Sequence, residues 1–288
     1  MDAVFRLMQD ASRFHNSKPD PEMGGLSPEQ VMRLYVTPWG IPGAPLQLNA
    51  NMTLSECERS TFFRNMRTFL CAVRDAGKVK VTSSRSLNRQ FVADMMSVLL
   101  AEEHQALIRQ MRKNINEEHV PGLNLIRGVA EIAGLIRLSK GAFSVPKTKW
   151  PLLAPDRAGE LFRNLFVTFF VNLDLAYISG AELKAASLQA YLSYTLYRLG
   201  VVANDWHAID TLPIKILLPQ VKLEVESELM KSRYWTMEEL LVNRILTPLI
   251  NWGLLEGRKE KVENHYFPSL VAVRVTPLYR DFLHVRFE

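Results

Sequence analysis

Two strings of seven residues, AGKVKVT at 76–82 and AGLIRLS at 133–139, align without a gap. Both read alanine, glycine, any residue, apolar, basic, apolar, hydroxyl, and both follow helical stretches. Upstream of the first, Phe62, Met66, Phe69, Leu70 and Val73 recur at three and four, with Arg59, Arg64, Arg67 and Arg74 between them. Glycine tolerates the left-handed backbone that ends a helix, and alternation of apolar with basic residues is the period of a half-buried strand. The strings predict two helix-Gly-strand units, with Gly77 and Gly134 ending the helices and Val79, Val81, Ile136 and Leu138 on a buried face. A weaker echo, WGLL at 252–255 and VRVT at 273–276, extends the pattern. The implied fold class is mainly α with short β-hairpins, assembled from a repeated supersecondary unit.

Six prolines (Pro19, Pro21, Pro28, Pro38, Pro42 and Pro45) make residues 1–50 an arm of turns around one short helix. Ser27-Pro28-Glu29-Gln30 opens that helix with a capping-box spelling. An amphipathic helix is expected from Ser55 to Gly77, and another carrying Leu87, Phe91, Met95, Leu99, Leu107 and Met111 on one face. Pro146, Pro151 and Pro155 mark the strongest boundary, so 51–150 reads as one helical domain and 151–288 as a second. In the second, Leu161, Phe162, Leu165, Phe166, Phe169, Phe170 and Leu173 form a core stripe expected to pack on 183–197 and 240–252. Helices over 182–199, stopping at Gly200, and over 211–232 follow. A second capping box, Thr236-Met237-Glu238-Glu239, opens a helix to Trp252 that Pro248 should kink.

After Trp252 come Gly253, a strand at 254–258, a charged tip Arg258-Lys259-Glu260-Lys261, a strand at 271–276 and a closing helix. That is the order of a winged helix-turn-helix unit. ELLVNRILTPLINWGLLEGRKE (239–260) with VAVRVTPLYRDFL (271–283) resembles the recognition helix, wing and closing helix of bacterial winged-helix proteins. GLSPEQVMRLYVTPWG (25–40) and GKVKVTSSRSLNRQFVADM (77–95) resemble an uncharacterised bacterial family with LSPEQ and KLT-turn-NL-PR-FV segments, whose members sometimes carry a cysteine-rich SEC-C zinc motif. This chain has no such motif, and Arg85-Ser86 stands where the pattern calls for glycine. The resemblance covers most of the chain loosely and implies winged-helix-like units, but no activity.

Catalytic patterns are missing. Walker A, GxGxxG, HExxH, CxxC and GxSxG do not occur. Ser144-Val145-Pro146-Lys147 spells Ser-x-x-Lys, but residues 147–149 read Lys-Thr-Lys in place of Lys-Thr-Gly. The Glu-Glu-His triplets at 102–104 and 117–119 would lie about 22 Å apart on one helix, too far to share an ion, and read as a solvated charged face. Asp205-Trp206-His207 reads as a structural histidine. Cys57 and Cys71, on one helix, would be about 21 Å apart and unable to bridge. The start, MDAVFRLMQDASRF, lacks the apolar run of a secretory signal, and the greasiest stretch, Leu161–Ile178, is interrupted by Arg163, Asn164, Asn172 and Asp174. The sequence therefore predicts a cytoplasmic chain without membrane anchor, in which the Asn51-Met52-Thr53 triplet is not glycosylated. No cofactor, metal or catalytic residue is assigned, and an enzyme of unrecognised type ranks third among the functions.

Charge placement says more. The chain carries 35 Lys+Arg against 30 Asp+Glu. Residues 74–89 hold Arg74, Lys78, Lys80, Arg85 and Arg89 with one acid, and 134–149 hold Arg137, Lys140, Lys147 and Lys149 with none. Each stretch is +4, so the pair exceeds the +5 of the whole chain. Lys78, Lys80, Arg85, Arg89, Arg137 and Lys140, with Arg258 and Lys259 of the wing, are thus the candidate phosphate contacts. The C-terminal helix opens on Glu238 and Glu239, the wrong sign for DNA, leaving Asn243 and Arg244 as its only base readers. The leading expectation is a non-enzymatic protein that binds nucleic acid weakly through basic strand-turn segments. The alternative is a scaffold that docks a protein partner.

Overall fold

A computed structural model describes residues 16–179, 183, 185–232, 234–261 and 268–287. Helix α1 (Pro28–Val36) and strand β1 (Leu46–Leu48) come first. There follow α2 (Leu54–Cys57), α3 (Thr61–Ala76), β2 (Val79–Lys80), α4 (Arg89–Leu99), α5 (Glu102–Met111), α6 (Pro121–Ile132), β3 (Arg137–Ser139), β4 (Ala142–Ser144) and α7 (Ala158–Val167). Next are α8 (Leu175–Ser179), α9 (Ala186–Ala190), α10 (Leu192–Val202), β5 (His207–Ala208), α11 (Leu212–Ile216) and α12 (Pro219–Leu229). A helix in three parts then comprises α13 (Met237–Leu241), a π-turn (Val242–Leu246) and α14 (Thr247–Asn251). The chain closes with β6 (Leu255–Glu260), β7 (Ser269–Val275), α15 (Pro277–Phe282) and β8 (Leu283–Val285). The fold is mainly α with short antiparallel strands.

Two compact units divide the chain: an inserted unit, 50–173, and a terminal unit made of 1–49 with 174–288. The division does not fall at 151. In the inserted unit α3 buries Phe62, Phe63, Met66, Phe69, Leu70 and Val73. That face needs an apolar partner, and the stripe on α7 and on the π-turn after it (Thr168–Asn172) supplies it: Phe63 meets Phe162 at 5.4 Å between ring centroids and Phe62 meets Phe169 at 5.2 Å. The stripe therefore packs on α3 of its own unit. The proline-rich stretch is two 3₁₀ segments, Lys147–Leu153 and Pro155–Arg157, packed within this unit. Gly159 is required there, because a Cβ would collide with the backbone of Ala50 and Met52.

Local details depart from the periodicity. The helix expected from Ser55 breaks after Cys57, and Ser60 Oγ caps α3 by accepting from Phe63 N at 3.2 Å. Cys57 and Cys71 thus sit on different helices, both as free thiols. The face from Leu87 to Met111 is split between α4 and α5, and Leu107 and Met111 are 53% and 67% exposed.

Helix α3 ends at Gly77 (φ 68°) and α6 just before Gly134 (φ 63°), and a short strand follows each, as the aligned strings imply. The two strands belong to one sheet rather than to two separate ones. β2 and β3 are the two outer strands of one sheet, order β2-β4-β3, with Val79 opposite Phe143 and Phe143 opposite Leu138. Val79 and Ile136 are buried, while Val81 and Leu138 are half-buried. The middle strand, β4, follows a two-residue turn in which Lys140 (φ 49°) and Gly141 (φ 73°) are both left-handed, the requirement of a type I′ hairpin. The sequence of a helix, a strand, further helices and a hairpin occurs once in each unit. In both, the last strand lies between the first two: β2-β4-β3 and β5-β7-β6.

Residues 16–49 are not a separate arm. The Ser27 capping box forms as spelled, with Gln30 N donating to Ser27 Oγ at 3.2 Å and Ser27 N to Gln30 Oε1 at 2.9 Å. Helix α1 then packs on α10 through the Ser193 Oγ bond to Leu34 O (2.6 Å) and the Tyr35–Tyr191 stack (4.7 Å), and β1 pairs with β8. The Thr236 capping box also forms. Pro248 has no N–H for the carbonyl of Arg244, and the ladder shifts to the wider π pattern just upstream. The helix expected over 182–199 is α9 and α10, and it runs through Gly200 to Val202; Glu182 lies outside the described residues. Gly200 lets Tyr279 pack close, since a Cβ there would sit 3.2 Å from its ring. The helix over 211–232 breaks at Leu217–Leu218, ahead of Pro219. No helix among the described residues is long and apolar enough to cross a membrane.

Candidate functional site

Pairing in the sheet of the inserted unit decides which side chains share a surface. Val79, Phe143 and Leu138 form one row directed at the core. The neighbouring rows, Lys80–Ala142–Ser139 and Ser144–Arg137, point the other way. Lys80 and Arg137 are both exposed and stand on the two outer strands of that open face. Strand spacing of about 4.8 Å and a two-residue step along the strand put their Cβ atoms about 12 Å apart. Lys78, exposed, immediately precedes β2.

At the end of the same sheet two turns meet. Val81 N donates to Gly141 O at 3.0 Å, which ties the β2–α4 connection to the β3–β4 hairpin. Lys140 sits at the hairpin tip. The other turn closes through Thr82 N to Ser86 O (2.8 Å) and Arg85 N to Thr82 O (3.0 Å), and Arg85 takes the left-handed backbone (φ 61°). This is the position where the family pattern calls for glycine. Asn88 caps α4 through Phe91 N and donates its Nδ2 to Lys80 O at 2.9 Å. Arg89 begins α4, exposed, with its Nε on Asn116 Oδ1 at 2.9 Å. Lys78, Lys80, Arg85, Arg137 and Lys140 have no carboxylate partner among the described residues.

One carboxylate supports this arrangement from beneath. Glu117, 2% exposed, accepts from Leu87 N at 2.7 Å and pairs with Arg127, which also bonds Glu131 Oε2 (2.9 Å) and Asn124 Oδ1 (3.2 Å). The second Glu-Glu-His triplet is therefore not a solvated face. Its glutamate anchors the Arg85 turn, and His119 Nδ1 accepts from Asn116 N at 3.0 Å. Sequence reasoning missed this role because the partners lie 30 and 10 residues away. Arg127 is the only basic residue on α6 and is consumed by these bonds.

The terminal unit repeats the sheet but not its charge. Arg258 and Lys259 belong to β6 rather than to a tip, and residues 262–267, where a tip would continue, lie outside the described residues. The guanidinium of Arg258 lies 4.5 Å from the centre of the Trp206 ring and that of Arg274 4.7 Å, while Arg274 also pairs with Glu256. Lys259 is exposed. Arg244, expected as a base reader, is 3% exposed and donates Nη2 to Leu183 O at 2.6 Å, so it is structural. Asn243 Nδ2 is bonded to Glu239 O.

The remaining sequence candidates fall apart geometrically. No hydrogen bond joins Ser144 to Lys147, and no group of three or more metal-ligating side chains converges among the described residues. His207 contacts Thr211 Oγ1 at 3.3 Å, and burial together with nearby Lys215 lowers its pKa.

A family model described as the Y4jL N-terminal domain matches residues 58–158, a span that contains α3 to α6 and all three strands of the basic sheet. No curated protein and no solved structure matches the chain. Residues 58–158 are thus similar to the Y4jL N-terminal domain.

Proposed function

We propose that the chain is a non-enzymatic cytoplasmic nucleic-acid-binding protein, built of one winged-helix unit in each half of the fold, in which the inserted unit makes the contacts. The observation that carries this reading is the open sheet face: Lys80 and Arg137 on it, Arg85 and Lys140 at its end, and no carboxylate paired with any of them among the described residues. The shared strand order of the two units supports the winged-helix assignment. Phosphate contacts position a protein without reading bases. Base readout would need donors on a helix, and α6 exposes only Gly122, Glu131 and Ile132 among its described side chains. Binding is therefore weak, electrostatic and indifferent to sequence. Fluorescence anisotropy with duplex and single-stranded DNA and RNA at about 50 mM salt tests it, since screening is low there.

A second reading rests on a separate observation. Val98 on α4 and Leu107 and Met111 on α5 are large apolar side chains left 53% to 67% exposed, a surface suited to a protein partner. Failure of all four nucleic acids to bind would move the proposal to that scaffold role.

A further inference from the structure

The terminal unit contains a cavity of about 360 Å³ bounded by Glu22 and Gly24, by Tyr194 and Arg198 of α10, by Lys215 and by Lys222 of α12. None of its walls belongs to the basic sheet. Three cations, Arg198, Lys215 and Lys222, line it against one carboxylate, Glu22. The lining therefore carries a net charge of +2. The nearby Asp20 carboxylate is already bonded to Glu22 N at 2.8 Å.

Two details show a built site. Arg198 is fixed by Nε to Lys215 O and Nη1 to Gly24 O, both at 3.0 Å, which leaves its other N–H groups available in one orientation. Gly24 makes this possible: a Cβ there would collide with the Arg198 guanidinium, and its backbone is left-handed (φ 66°). The second detail is Tyr194. It is 2% exposed and lines the cavity, yet its hydroxyl has no hydrogen-bond partner among the described residues. The ring is buried while the hydroxyl opens into the cavity, where it is free to donate to an occupant. Helix α12 also begins here without a side-chain cap on its first N–H groups.

We propose that this cavity binds a small molecule through a phosphate group. A phosphomonoester is close to a dianion at neutral pH and matches the +2 lining, with three oxygens to accept from Arg198, Lys222 and the Tyr194 hydroxyl. The volume is at the small end of ligand sites, which limits the occupant to a phosphate and a short organic body.

The test is calorimetry on the full chain with inorganic phosphate, glycerol 3-phosphate, succinate and glycerol, each to about 10 mM, a range that registers millimolar affinity. The two phosphates are expected to bind, succinate more weakly and glycerol not at all. Tyr194→Phe and Lys222→Gln should each lower phosphate affinity about three- to tenfold, the effect of one lost hydrogen bond. Tyr194→Phe should leave the ligand-free melting temperature unchanged or raised, because no existing bond is lost. The Lys80→Ala/Arg137→Ala variant should bind phosphate as before, which separates this site from the basic sheet. Absence of phosphate binding, or affinity unchanged in both cavity variants, would overturn the proposal.

Discussion

Replacing Glu117 by alanine removes the one carboxylate that holds the Arg85 turn to the helix beneath it. The substitution leaves Leu87 N, on a residue 1% exposed, without its acceptor, and strips Arg127 of its most buried partner. Breaking one side of a buried pair costs about 3–5 kcal/mol when the remaining charge stays buried. Arg127 keeps Glu131 and Asn124 and is 20% exposed, so the lower end, about 3 kcal/mol, is expected. Glu117→Gln keeps one acceptor and should cost about half as much, 1–2 kcal/mol. Urea denaturation followed by far-UV circular dichroism measures both. A loss below about 0.5 kcal/mol for Glu117→Ala would refute the reasoning, since that is the size of a surface substitution away from any buried network. The same variant should bind nucleic acid less tightly even where fully folded, because Arg85 is no longer held.

Arg244→Ala should destabilise the protein by about 2–4 kcal/mol in the same assay, because a buried guanidinium bonded to Leu183 O leaves both a void and an unpaired carbonyl. Burial pushes the Cys57 thiol up to about 12. A thiol reagent at about pH 8 should therefore label at most one cysteine in the native protein and two in denaturant, and rapid labelling of both in the native state would contradict the buried position. Gly141→Ala should cost about 1 kcal/mol because its φ of 73° belongs to a type I′ turn, and a stability equal to the wild type would show that the hairpin tolerates another turn.

Much of the fold was legible where the signal is local. The Ser27 and Thr236 capping boxes, the helix ends at Gly77 and Gly134 and the strands after them depend on residues within one turn of each other. Strand β4 was missed because Ala142-Phe143-Ser144 is too short to show alternation, and only Lys140-Gly141 hints at the turn before it. The seven-residue match has a physical reason within one sheet. Two outer strands of one sheet each follow a helix, alternate apolar with basic residues and face the same core, which is reason enough for the same spelling. The domain boundary failed similarly: a cluster of prolines reads as a linker, whereas Pro151 and Pro155 sit in 3₁₀ turns packed within the inserted unit. The six basic positions around β2 and β3, expected from charge alone, lie on or beside one sheet. Glu117 could be recognised only through contacts distant in sequence, and periodicity does not tell a buried arginine such as Arg244 from a free one.

The salt dependence of nucleic-acid binding tests the central proposal most directly. Five unpaired cations, Lys78, Lys80, Arg85, Arg137 and Lys140, predict that the logarithm of the duplex binding constant falls with log salt at a slope of about −4 to −5, or roughly 500-fold between 50 and 200 mM. Lys80→Ala combined with Arg137→Ala should reduce that slope by about two, leaving roughly a 40-fold change over the same interval, with the melting temperature unaltered. A slope unchanged by the double substitution, or no binding to any nucleic acid at about 50 mM salt, would contradict the account.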